Sequence, residues 1–348
     1  PGFNPPDQWD AYFDLRFDDP WDRCRKPYTP HWDIPRVDPP RGHPFSGLEP
    51  FRHEYDWGSL DLPESGYGDA ATVDWASAYL AQPHERPFFL AVGTFRPHLP
   101  WYAPRAYFDR YPLEAIVLPA VFDSDLEDVP PIGREFAADE RDRLAQIKAQ
   151  GRWEEAVQGY LAAISFADAQ VGRLLDALDR SPHADDTIVV FYSDNGFHLG
   201  EKDHISKSTL WQRSGHVPFI MAGPGTRPGL RCGYSVSLQD VYPTLVDLCG
   251  LDRPAGLDGQ SLRPLLSDPD AVRRRPSLCT FQRDNHALCL DRWRYIRYAD
   301  GGEELYDRGN DPHEWENLAD KPEFERVKRD LRAFLPRDTR EPAPAKAD

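Results

Sequence analysis

Residues 187–192, Thr-Ile-Val-Val-Phe-Tyr, form an unbroken apolar run rich in β-branched side chains, and Ser193-Asp194-Asn195-Gly196 follows at once. Such a run predicts a strand buried on both faces, the environment of a parallel sheet. Asp194 and Asn195 then leave the sheet at the carboxyl end of a strand, where open α/β folds hold their ligands. A carboxylate oxygen beside an amide oxygen is the donor type that a hard divalent cation takes. Gly196 and Gly200 let the next loop bend tightly, and Lys207 can return an ammonium toward the metal. Metal-bound oxygens and a nearby cation describe a site for a tetrahedral oxyanion.

A second segment points to the same chemistry. Residues 87–95, Pro-Phe-Phe-Leu-Ala-Val-Gly-Thr-Phe, read as another buried strand and run directly into Arg96-Pro97-His98-Leu99-Pro100. Prolines on both sides restrict the backbone around His98, so its imidazole is held at a strand end. A histidine there can donate to an anion oxygen or protonate a leaving alkoxide.

The rest of the chain supplies the frame. Residues 1–70 are rich in Pro, Asp, Trp and Arg without a sustained period and read as extended chain. Residues 65–80 are a candidate helix, and 101–155 a long excursion whose Tyr102, Tyr107, Phe108 and Tyr111 pack rather than bind. In 155–180, Val157, Leu161, Ile164, Asp168, Val171, Leu175 and Leu178 recur at helical spacing, with Asp168 as a tether to a neighbouring loop. A third strand is expected at 217–222 and a short helix at 240–250, closed by Gly250. Strands alternating with helices imply an α/β fold, a mostly parallel sheet sandwiched by helices. From about Ser277 the pattern changes to four short strands at hairpin spacing and a closing helix over 322–335. The expected organisation is a catalytic α/β domain over 1–270, a small C-terminal antiparallel sheet plus helix over 271–335, and a disordered tail over 336–348.

Composition narrows the partners. Lys and Arg number 41 against 58 Asp and Glu, a net charge of −17. Nucleic acid and anionic membranes need a net basic face, so both are excluded as general partners. An anionic small substrate remains compatible through a local cationic pocket. No apolar stretch reaches transmembrane length, and no signal peptide is recognisable. The five cysteines, Cys24, Cys232, Cys249, Cys279 and Cys289, make no Cys-x-x-Cys pair and read as free thiols, with a Cys279–Cys289 hairpin bridge as the alternative.

These segments in this order resemble the sulfatase family, closest to its iduronate-2-sulfatase-like branch. The resemblance runs through the strand before Arg96-Pro97-His98-Leu99-Pro100, through Gln170-Val171-Gly172-Arg173-Leu174-Leu175, and through Ser193-Asp194-Asn195-Gly196 with Leu199-Gly200-Glu201 and Lys207. It continues through Asp240-Val241-Tyr242-Pro243-Thr244-Leu245 and Glu304-Leu305-Tyr306-Asp307, and covers about residues 7 to 335. It implies an alkaline-phosphatase-like fold and hydrolysis of a sulfate ester on a sulfated carbohydrate, in the periplasm or outside the cell. By the same resemblance Asp194 and Asn195 are ligands of a calcium ion, and Lys207 and His98 contact the sulfate and act in catalysis. His204, in the same loop, is a candidate substrate contact.

One part of the family pattern is missing. Its nucleophile is a formylglycine made within a Cys-x-Pro-x-Arg type of motif, and none of the five cysteines stands in one. The paired Asp residues of the first family strand are also absent, since Asp18-Asp19 runs into Pro20. The resemblance therefore implies an N-terminally truncated sulfatase, inactive alone, with formylglycine and the remaining calcium ligands upstream of Pro1. The alternatives are a phosphoester or phosphonate hydrolase of the same superfamily, and a non-catalytic remnant.

Overall fold

A computed structural model describes residues 9–13, 45–49, 55–60, 62–271, 273 and 275–337. Asp18-Asp19, Cys24 and the tail beyond 337 lie outside the described residues. The elements run β1 (Trp57–Leu60), α1 (Gly68–Leu80), β2 (Trp101–Pro104), α2 (Arg105–Phe108), α3 (Pro131–Ala149) and α4 (Trp153–Asp179). They continue as β3 (Val189–Tyr192), α5 (Gln212–Gly215), β4 (Phe219–Ala222), α6 (Val241–Leu248) and α7 (Arg263–Ser267). The chain closes with β5 (Ser277–Thr280), β6 (His286–Leu290), β7 (Trp293–Arg297), β8 (Glu303–Asp307) and α8 (Glu325–Arg332). Contacts divide it into two units, residues 1–118 with 146–186, and residues 119–145 with 187–348.

In the first unit β1 and β2 pair in parallel, Trp57 opposite Trp101 and Leu60 opposite Pro104. Leu60, Tyr67, Tyr102, Tyr107, Phe108, Ala162 and Phe166 form its core. Tyr102, Tyr107 and Phe108 of the 101–155 excursion are thus core residues, with Tyr102 fully buried, whereas Tyr111 is half-buried. α4 packs by a face that only partly follows its large residues: Val157 and Leu178 of the expected stripe are buried, the middle of the stripe is not. Ala156, Gly159, Ala163, Phe166 and Gln170 are buried, whereas Ile164 and Leu175 are 37% and 41% exposed and Asp168 faces solvent. The reason is steric: a Cβ on Gly159 would lie 2.7 Å from the Trp57 Cβ and 3.5 Å from that of Trp101. Small residues let helix and strands approach, and tryptophans from the strands fill the space.

Residues 87–95 are not a hydrogen-bonded strand. Their exposure alternates along the chain as in extended backbone, but no ladder is formed among the described residues, and Phe89 is 71% exposed. The expectation of a buried strand there is corrected.

In the second unit β3 pairs with β4 antiparallel, Val189 opposite Ala222 and Tyr192 opposite Phe219. The strand before Asp194 is therefore half-exposed and antiparallel to its neighbour, not buried on both faces as its β-branched run predicts. β5 to β8 form a four-stranded antiparallel meander in sequence order. One face carries Leu288, Tyr295 and Leu305 against Leu318 and Leu331; the other carries Ala287, Ile296, Tyr298 and Tyr306 against Val129, Phe136 and Trp211. This meander with α8 matches the small subdomain expected from the hairpin spacing. Cys232, Cys249, Cys279 and Cys289 are free thiols, and of these only Cys289 is buried.

Candidate active site

His98 is set by a buried clamp in the first unit. Arg96 places Nη1 2.6 Å from Asp69 Oδ2, in the first turn of α1, and its Nε donates to the Tyr102 carbonyl at 2.5 Å. Its guanidinium lies over the rings of Tyr67 and Phe166, 5.0 and 5.7 Å from their centroids. The second oxygen of Asp69 accepts the Phe95 N–H at 2.5 Å. Burial pushes the Asp69 carboxyl up to about 6, against the backbone donors of Phe95 and Arg96. The Trp101 indole donates to the Pro97 carbonyl at 3.0 Å, which holds the turn from its far side. His98 itself is exposed. Its Nδ1 faces the Leu99 carbonyl at 2.7 Å, which fixes the tautomer and makes Nε2 the nitrogen for chemistry.

Asp194, Asn195 and Lys207 belong to the second unit and meet there. The Asp194 carboxylate is exposed at the end of β3 and accepts the Asn195 N–H at 2.9 Å. Lys207 Nζ donates to Asn195 Oδ1 at 3.1 Å. Gly196 N–H donates to the Ser214 carbonyl at 2.8 Å, and a Cβ on Gly196 would stand 2.0 Å from the Arg213 carbonyl oxygen. Only glycine allows that approach.

The loop between Gly196 and Lys207 is held from inside. His198 N–H donates to the Ser206 carbonyl at 2.7 Å, closing the loop's neck. The His198 ring is fully buried between the Glu201 carbonyl and Thr209 Oγ1, at 3.0 and 3.1 Å. Burial first, and the neighbouring His204 second, hold its pKa well below the ordinary value, so it is a neutral hydrogen-bonding strut. His204 is 1% exposed, and its nitrogens face the carbonyls of Ala137 and Lys207 at 3.2 and 2.9 Å. The expectation that His204 touches substrate is corrected: both ring nitrogens are engaged by backbone, and the side chain supports the turn that presents Lys207.

The sequence pattern gives no sign of the strongest anchor of this loop. Lys202, in the left-handed region at φ 55°, is 3% exposed and reaches Asp125 Oδ1 at 2.5 Å and the Glu314 carbonyl. It also sits over the rings of Tyr306 and Trp211, at 5.0 and 5.6 Å. The Trp211 indole donates to buried Glu304 at 2.7 Å, together with the hydroxyls of Tyr298 and Tyr306. A lysine in a polar loop carries no sequence signal of burial, and Asp125 lies 77 residues away.

As a metal site the arrangement is partial. Asp194 and Asn195 offer two hard oxygen donors, against the roughly six to eight that calcium takes. Among the described residues no group of three or more His, Cys, Asp or Glu side chains could hold a metal ion. Asp194 and Asn195 are both hard oxygen donors of the type calcium takes.

Comparison with known proteins agrees with the fold. The sulfatase family profile matches residues 9–251, and the profile of the N-sulphoglucosamine sulphohydrolase C-terminal region matches residues 200–341. The chain belongs to the sulfatase family. It is 37% identical over 292 residues to a sulfatase of Formosa agariphila, covering 82% of this chain and 57% of that protein. A solved structure described in complex with its substrate D-glucosamine-2-N,6-O-disulfate superposes with a TM-score of 0.62 at 20% identity, over 77% of this chain and 68% of that one. The phosphonate monoester hydrolase of Agrobacterium radiobacter superposes with a TM-score of 0.66 at 24% identity, over 79% and 62%. These likenesses identify the alkaline-phosphatase-like α/β fold with its small antiparallel sheet. The chain spans about half the length of the curated relatives it matches.

Proposed function

We propose that the protein hydrolyses a sulfate ester on a sulfated sugar, with Asp194, Asn195 and Lys207 at the sulfate; the resemblance to the family adds His98 as the acid for the leaving group. The observation that carries this reading is the Lys207–Asn195 contact beside the exposed Asp194 carboxylate at the end of β3. An amide oxygen and a cation in contact, next in sequence to an exposed carboxylate, support a site for a tetrahedral anion. Calcium, held in part by Asp194 and Asn195, would neutralise charge on the sulfate oxygens. Lys207 adds a positive charge, which gains weight as negative charge shifts from sulfur toward the ester oxygen in the transition state. His98, acting as the imidazolium with Nδ1–H on the Leu99 carbonyl, would deliver its Nε2 proton to the departing alkoxide as the sulfur–oxygen bond breaks and would be left neutral. The nucleophile is assigned to a formylglycine outside these 348 residues, because no cysteine here stands in the required motif.

The test uses the full-length protein and follows sulfate release from sulfated sugars and from p-nitrophenyl sulfate. Asp194→Ala is expected to remove turnover by at least about a hundredfold while leaving the unfolding midpoint in place, since the carboxylate is solvent-facing. Retained turnover would take Asp194 out of the site. A second reading, hydrolysis of phosphonate or phosphate monoesters, is favoured by the phosphonate hydrolase likeness. Parallel kinetics on p-nitrophenyl sulfate and phenyl phosphonate esters separate the two, and activity on neither leaves a non-catalytic member.

A further inference from the structure

His198 brackets Lys207 from inside the loop. Its backbone N–H donates at 2.7 Å to the carbonyl of Ser206, the residue before Lys207. Its ring Nε2 lies 3.1 Å from Oγ1 of Thr209, two residues after it. The contacts continue to the other side of the site. Thr209 Oγ1 is 2.7 Å from Ser214 Oγ, which also accepts the Thr209 N–H at 3.3 Å. The Ser214 carbonyl then accepts the Gly196 N–H at 2.8 Å. Asn195 precedes Gly196, and its Oδ1 returns to Lys207 Nζ at 3.1 Å. Asn195 and Lys207 thus close a ring whose far wall is His198, Thr209 and Ser214, all buried.

Every proton in that wall has one place. The Glu201 carbonyl, 3.0 Å from His198 Nδ1, can only accept, so Nδ1 carries the ring proton. Burial keeps the ring neutral, which leaves Nε2 as an acceptor. Thr209 must then donate to Nε2, and Ser214 to Thr209, while Ser214 Oγ takes the Thr209 N–H. Each hydroxyl both gives and receives, and the reverse direction would leave buried groups unmatched. A wall with a single arrangement of donors holds a single spacing, whereas hydroxyls free to turn would permit several.

We infer that His198, Thr209 and Ser214 are positioning residues, a one-directional hydrogen-bond chain that fixes the distance between Asn195 and Lys207. The inference rests on the proposed reaction, in which those two side chains meet the sulfate; the three buried residues act only through them. The same chain protects Asn195 chemically. Asn195-Gly196 is a dipeptide open to succinimide formation, since glycine leaves its backbone nitrogen unshielded. In that reaction the Gly196 nitrogen attacks the Asn195 side-chain carbonyl carbon, ammonia leaves, and water opens the ring to aspartate or isoaspartate. A Gly196 N–H donated to Ser214 is withheld from the attack, so the chain preserves Asn195 as an amide.

The test compares Thr209→Val, which keeps the shape without the hydroxyl, with Thr209→Ser, which keeps the hydroxyl, in the full-length protein. On p-nitrophenyl sulfate Thr209→Val should lower kcat about 10- to 100-fold with KM little changed, and Thr209→Ser should return most of the rate. Ser214→Ala breaks the same link from its other end and should repeat the loss, which keeps the test open if Thr209→Val does not fold. Glu303→Gln, which takes a carboxylate from Lys328 and Arg332 of α8 in the same unit, controls for lost stability alone. Peptide mapping of samples aged with a chelator should show Asn195 losing its amide about 3- to 10-fold faster in Thr209→Val or Ser214→Ala than in Thr209→Ser or wild type. Unchanged kcat, equal losses in the two Thr209 variants, a loss matched by Glu303→Gln, or an amide lost at the wild-type rate would each overturn the positioning role. Should the wild-type protein turn over no sulfate ester, the proposed reaction fails by itself and the Asn195 rates decide. Faster amide loss where the hydroxyl is gone, and not in Thr209→Ser, sustains the chain; equal rates remove it.

Discussion

Lys202 carries its ammonium into a nearly closed pocket of Asp125, the Glu314 carbonyl and two aromatic rings, in the loop that presents Lys207. Both partners of the ion pair have under 5% of their side chains exposed. Burial pushes the Asp125 carboxyl up and Lys202 pulls it back, so removing the lysine would leave a desolvated acid alone. Lys202→Met should cost about 3–5 kcal/mol in urea unfolding, and pairing it with Asp125→Leu should return much of that loss. A single variant within about 0.5 kcal/mol of wild type would mean the pair contributes nothing. At this scale the sequence offers Asp194, Asn195, Lys207 and His98 as candidates by residue type and by their place after apolar runs. The burial of Lys202 and the supporting role of His204 are not legible there, because what decides those two is contact with residues tens of positions away.

Elements built from local contacts are legible in the sequence, and elements that depend on distant partners are less so. The meander β5–β8 joins neighbours in sequence, so hairpin spacing is enough to find it. The 87–95 segment and β3 have strand-like composition, but composition does not state which partner, if any, completes the ladder. The hydrophobic period finds α4 as a helix but only part of its buried face, since Gly159 is silent in that period yet decides the approach to Trp57. The closing helix α8 offers a pH test. Glu303 at the start of β8 accepts from Arg332 at 2.7 and 2.8 Å and from Lys328 at 3.1 Å, and from the Tyr295 hydroxyl. Burial alone would raise its pKa, but the donors outweigh burial and hold it down at about 2. A depressed acid stabilises the fold above its unfolded value, near 4.5, and that contribution fades as pH falls toward 2. Thermal melts of wild type and Glu303→Gln should therefore converge as pH drops from 4.5 to 2, with wild type the more stable above that window. Melting curves separated by the same interval at every pH would show that Glu303 does not latch α8.

For the molecule as a whole, two surface properties oppose each other. Phe89 is 71% exposed on extended chain without a ladder among the described residues, and Ile220 and Tyr192 are 58% and 49% exposed on the β3–β4 pair. Extended apolar segments with unpaired backbone are templates for association with another chain. A net charge of −17 works the other way, because copies of one anion repel. Salt should decide between them: the screening length falls from about 30 Å at 0.01 M to about 3 Å at 1 M, while apolar attraction does not weaken. Light scattering of the 348-residue chain should accordingly give a mass near the 39.8 kDa of one copy at low ionic strength and a rising mass as sodium chloride is added. Phe89→Lys combined with Ile220→Lys should suppress the rise, by adding cations where contact would form. The substitutions also reduce the net negative charge and so the repulsion, hence a suppressed rise would point to the apolar strips themselves. A single-copy mass at every salt concentration would mean that these strips do not drive association.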